Sequence, residues 1–163
     1  MKRFISGFIV LLSLSLSSLS LESFAQVDQI KEVQTFQKFG DYTVHYTVFG
    51  SKDIPAEVAK LYNITRADDI SLVNISLTKT TSGKTSLGLP ITLAGKTLNL
   101  MQQSQTLQFR EINEGETAET KATYYIAPVR HNNEDDLRFE ISIIPAGESK
   151  PLTISFSRRL YKN

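Results

Sequence analysis

The chain has 163 residues, with 18 basic and 17 acidic side chains and no cysteine. That length fits one domain with one core, and the near-neutral balance offers no field to draw in nucleic acid or an anionic membrane. The missing thiols exclude disulfides, thiol catalysis and thiolate metal sites together.

Lys2 and Arg3, the apolar run from Phe4 to Leu21 and the closing Ser23-Phe24-Ala25 have the layout of a secretory signal peptide. They predict cleavage after Ala25, leaving residues 26–163 as a single exported domain. The rival is a retained anchor, since the run approaches the roughly 20 residues that span a bilayer. Ser13, Ser15, Ser17, Ser18 and Ser20 dilute its second half and a cleavage site follows, which favours removal and no stable membrane insertion. No cysteine follows the run, so lipid attachment there is excluded. With Lys2, Arg3 and Glu22 gone, the remaining charges cancel.

Residues 26–38 are polar with scattered apolar positions, either a frayed lead-in or an edge strand. Tyr42, Val44, Tyr46 and Val48 then alternate with Thr43, His45 and Thr47, which predicts a half-buried strand. Asp53 as a cap, Pro55 in the first turn and a stripe of Ile54, Val58 and Leu61 predict one short helix over 54–62. Alternation resumes at Val73, Ile75 and Leu77, at Leu87, Leu89, Ile91 and Leu93, and at Leu98 and Leu100. Ala94-Gly95-Lys96 and Asn113-Glu114-Gly115-Glu116 read as hairpin turns. Further strands are predicted over 107–112, 118–127, 137–144 and 152–161, with breaks at Pro128, 132–136 and 145–151. Short strands at regular spacing point to a single antiparallel β-sandwich of immunoglobulin-like type, with a small β-barrel as the alternative.

Few residues carry recognisable chemistry. Gly83-Lys84-Thr85 and Gly95-Lys96-Thr97 mimic a phosphate loop, but Thr78 and Pro90 stand where its first glycine belongs, and no helix follows either. The triplets beginning at Asn63 and Asn74 fit the glycosylation sequon and are read as chance. His131, Asn132, Asn133, Glu134, Asp135 and Asp136 form the densest donor set, so His131, Glu134, Asp135 and Asp136 are the metal-ligand candidates. Their spacing matches no calcium loop, and the commoner role of such a segment is a solvated turn. No cofactor is expected.

The expected binding surface comprises His45, Tyr125, Arg158 and Arg159. His45 projects from the polar face of its strand. Tyr124 and Tyr125 must face opposite sides, so one is available for contact. Arg158 and Arg159 suit carboxylate recognition, or blunt an edge strand. His45 with Asp41 as its orienter is the weakest reading, a hydrolase. Four residues along a strand separate them by about 13 Å, beyond a direct hydrogen bond.

Three segments together, 39–49 with its Phe39-Gly40-Asp41-Tyr42 start, 54–59 with Ile54-Pro55-Ala56, and 72–77 with Leu72-Val73-Asn74, resemble a family of small exported bacterial proteins catalogued as a domain of unknown function. The closing Phe156-Ser157-Arg158-Arg159-Leu160-Tyr161 is similar to that family's last strand. The resemblance implies a periplasmic location in a Gram-negative bacterium and supplies no activity. The expectation is a non-catalytic binding or assembly module for an envelope protein or peptide, acting through a sheet edge or strand face. A small-ligand or metal binder is the alternative.

Overall fold

The computed structural model describes residues 33–117 and 120–162. The predicted signal peptide and most of the lead-in lie outside the described residues. Within them the chain forms β1 (Phe36–Phe39), β2 (Tyr42–Gly50), α1 (Ala56–Leu61), β3 (Ile70–Thr81), β4 (Lys84–Thr85), β5 (Ile91–Leu98), β6 (Ser104–Thr106), β7 (Arg110–Glu114), β8 (Ala122–Arg130), β9 (Asp135–Pro145) and β10 (Leu152–Leu160). The first sheet has the order β1-β2-β3-β8-β7, with β4 paired to the far end of β3; the second runs β10-β9-β5-β6. Every pairing is antiparallel. Two open sheets make a sandwich and exclude the barrel.

Period-2 alternation explains why the sheets face each other. Val44, Tyr46, Val73, Ile75 and Leu77 from the first sheet are buried against Phe139, Ile141, Ile143 and Ile154 from the second. Phe156 on β10 is stacked on both sides, 4.4 Å from the Tyr46 ring and 4.8 Å from Phe139 between centroids. Such ring pairs add directional attraction to the area they bury. The same parity points Arg158 inward. Its guanidinium lies 5.1 Å from the Phe156 ring and donates to the carbonyls of Gln34 and Ser157. An inward-turned charge of this kind disfavours pairing of the β10 edge with another chain.

Three expectations about the strands are corrected. Ala94-Gly95-Lys96 is not a turn but the middle of β5, with Gly95 opposite Ile141. A Cβ there would sit 3.1 Å from Ile141 Cγ1 and 3.2 Å from Leu107 Cδ1, so glycine serves close packing. The real turn is Asn99–Gln103, where Asn99 Oδ1 accepts from the Met101 and Gln103 amides. Only the last part of the predicted 87–93 strand is one, beginning at Ile91. Pro128 does not break the chain but remains inside β8, past the last β7 pair at Arg110 and Ile126, where that side of the ladder is open.

The helix is shorter and turned differently. Asp53 accepts from the Gly50 amide at 2.9 Å and so closes a 3-10 turn over Ser51–Asp53, leaving Pro55 at the start of α1. The predicted stripe is not the packed face: Ala59 is buried, while Val58 is 36% and Leu61 72% exposed. Six residues give only about one and a half turns, too few for a wide stripe to reach the sheet, so the smallest side chain makes the contact. Buried Ser51 fixes the excursion by donating to the Ala67 carbonyl at 3.1 Å and accepting from its amide at 2.9 Å.

Candidate functional site

Alternation along β3 puts Ile70 and Leu72 on the face opposite Val73, Ile75 and Leu77, yet both are buried, at 5% and 1% exposure. Apolar residues on both faces require a second cover. It comes from the end of α1. Asn63 adopts the left-handed conformation, φ +50°, while its amide bonds Lys60 and the next amide, Ile64, bonds Ala59. This is a Schellman ending with asparagine in the glycine position, and it turns Ile64 back toward the sheet.

Between this segment and the sheet lies a cleft of about 330 Å³, with Ile64, Ile70, Leu72, Ile112, Ile126 and Pro128 as apolar lining. That volume is at the low end of the range for ligand pockets, about 300–1,000 Å³. Arg110, Arg130, Gln105, Gln108, Asn63 and Thr65 supply the polar groups, and among the described residues no acidic side chain lines it. Arg130 is paired with Asp69 at 2.8 Å. Arg110 instead donates through Nη1 to the carbonyls of Tyr62 and Asn63, and it takes part in none of the five ion pairs among the described residues. It pins the 62–63 turn while no carboxylate among the described residues pairs with its charge.

The residues singled out in the sequence do not assemble. His131 is buried, with Nδ1 2.8 Å from the Asn132 carbonyl and Nε2 3.0 Å from Ser71 Oγ. A carbonyl only accepts, so Nδ1 carries the proton and Nε2 accepts from Ser71, leaving no nitrogen for a metal. Asp135 accepts from the Asn132 amide, and Glu134 is exposed at a left-handed turn with φ +55°. Asp136 is gripped by Arg159 in a two-point pair at 3.0 and 2.5 Å, which holds its carboxyl below the usual carboxylate range. No three potential metal ligands among the described residues form a group.

His45 stands exposed on the outer face of β2, with Nε2 3.1 Å from Thr78 Oγ1 and its ring 6.5 Å from that of Phe36. Its partner is a hydroxyl, not Asp41. Tyr125 is not a surface contact: it faces inward, 5% exposed, accepting from the Ile91 amide at 2.9 Å and donating to Glu111 at 3.1 Å. Burial raises its pKa, while bonds from Asn113 and Tyr125 lower that of Glu111. Tyr124 takes the outer face, half-buried and bonded to Glu114. Tyr125→Phe leaves the Ile91 amide unpaired, so it is expected to cost about 1–3 kcal/mol in urea unfolding; a loss within error would show that water replaces the hydroxyl.

The cleft residues Arg110, Ile112, Ile126 and Arg130 were missed in the sequence. Their one local signal is Ile70-Ser71-Leu72-Val73, a run apolar on both faces at the start of β3. Among the described residues no helix is long and apolar enough to cross a membrane.

No curated protein matches the chain. A crystal structure of a DUF4426 family protein from Pseudomonas aeruginosa PAO1 is similar to it, with 25% identity and a TM-score of 0.65 over 78% of this chain and 94% of that one. The family model described as domain of unknown function DUF4426 matches residues 36–163, the whole span from β1 to the C-terminus. With sandwich, cleft and both sheets inside that match, the chain belongs to the DUF4426 family.

Proposed function

We propose that the protein is an exported, non-catalytic binding module of the bacterial envelope, and that its cleft receives an apolar segment of another envelope protein. The observation that carries this reading is the uncovered face of α1. Val58 and Leu61 lie three residues apart on one side of the helix, exposed, and the chain runs from Leu61 directly into the cleft wall at Asn63. Adjacent apolar exposure beside a concave apolar floor is what a partner site offers. The periplasmic address is supported by the leader pattern of Lys2, Arg3, the apolar run and Ala25.

A second mode, pairing through a sheet edge, is less well supported at β10, where Arg158 turns inward to the Gln34 carbonyl. The predicted consequence is local. Leu61→Ser should weaken binding of an acetylated Leu-Val-Leu-Ile peptide about tenfold, by removing one well-packed contact. The melting temperature should stay unchanged, since Leu61 is 72% exposed. Isothermal titration of both proteins decides it; equal affinities would contradict the reading.

A further inference from the structure

We infer that the segment received by the cleft is a carboxyl terminus: an aliphatic last residue whose free α-carboxylate binds Arg110. This rests on the proposed function and narrows it. Among the described residues the cleft has no acidic lining residue, Arg130 already holds Asp69, and Arg110 meets only backbone carbonyls through a single nitrogen, Nη1. A guanidinium has five N–H donors in a fork that matches a carboxylate, so Nη2 and Nε remain for a two-point contact.

The spacing favours a terminus over an acidic side chain. Arg110 stands directly opposite Ile126 in the β7–β8 register, with Ile112 two residues along on the same face. Directly opposed residues lie about 5 Å apart at Cβ. The side chain therefore starts beside the aliphatic wall, and its guanidinium ends at the Tyr62 and Asn63 carbonyls, next to Ile64. In a C-terminal leucine or isoleucine the carboxylate and side chain leave the same Cα, which gives that short separation. In a glutamate beside an aliphatic neighbour the two groups diverge along an extended backbone. The small volume, about 330 Å³, likewise suits the end of a chain rather than a passing strand.

The test is titration of the unmodified protein with acetyl-Leu-Val-Leu-Ile as the free acid and as the C-terminal amide, at fixed ionic strength, followed by backbone amide shifts. The acid is expected to bind about ten- to a hundredfold more tightly, the value of a charge-assisted contact, with shifts centred on Arg110, Ile112 and Ile126. Arg110→Gln should abolish the acid-over-amide difference, and Arg110→Lys should restore part of it. Equal binding of acid and amide in the cleft would overturn the terminus and leave the proposed function standing. No binding of either peptide would overturn both. Displacement of the acid by decanoate at comparable affinity would reassign the carboxylate to a fatty acid and overturn the peptide.

Discussion

Phe139→Ala is expected to remove about 3–5 kcal/mol of unfolding free energy, the cost of deleting a large aromatic side chain from a packed interior. Phe139 is fully buried at the centre of β9, the strand that pairs with both β10 and β5, and its ring lies 5° from parallel with Phe156. Phe156 in turn lies against Tyr46 of the opposite sheet, so one truncation loosens a three-ring stack that joins the two layers. No disulfide shares the load, because the chain has no cysteine. Domains of this size hold about 5–15 kcal/mol in total, so the loss is a large fraction. Urea unfolding should show a lower midpoint with little change in slope. A loss below about 1 kcal/mol would mean that the stack is not a structural centre.

Gly88→Ala is the second large effect, and its cause is space rather than backbone angle. A Cβ at Gly88 would meet the Thr123 carbonyl oxygen at 2.1 Å and Ser76 Oγ at 3.0 Å. The oxygen is backbone inside β8 and has little freedom to retreat. Gly88 also accepts from the Thr123 amide at 3.0 Å, and the next amide, Leu89, bonds the Leu77 carbonyl. These contacts lay the 86–90 segment across β3 and β8 as it passes from one sheet to the other. Adding the methyl forces the segment off, so the expected loss is about 2–4 kcal/mol from overpacking plus the broken hydrogen bond. Faster amide exchange at Thr123 and Leu89 than elsewhere in the sandwich should accompany it. Unchanged stability would mean that the segment can shift without cost.

How far the sequence reaches is clear from individual residues. Tyr42 to Val48 was readable because period-2 alternation carries strand and orientation in one signal. The same signal cannot say which of two adjacent positions faces inward when both are tyrosine. Tyr125 was therefore offered as a contact, while register with β7 and the Ile91 amide places it inside. Gly95 was misread since glycine permits a turn and a close approach equally, and the deciding atom, Ile141 Cγ1, lies forty-six positions away on another strand. Val58 and Leu61 read as part of a packed stripe because amphipathic spacing reports an apolar face, not what covers it.

The cleft itself was not legible. Its lining comes from three stretches, 63–72, 105–112 and 126–130, that touch only once β3, β7 and β8 are in register. Arg110 gave no local sign of its role, because nothing near it in sequence shows that its guanidinium closes the turn after α1. His131 illustrates the converse. Dense donors in sequence looked like a ligand set, yet His131 is held by Ser71 and the Asn132 carbonyl, Asp135 by the Asn132 amide and Asp136 by Arg159, while Glu134 stands exposed.

The most direct measurement of the binding reading is site-specific photo-crosslinking in the producing cell. A photoreactive phenylalanine analogue is placed at Leu61, and at the exposed, outward Thr153 on the other sheet as a control. The account predicts one adduct at Leu61, joined within an aliphatic segment of an envelope protein, competed away by the acetylated Leu-Val-Leu-Ile acid and absent at Thr153. The same adducts at both positions, or adducts at Leu61 that the peptide does not displace, would contradict it.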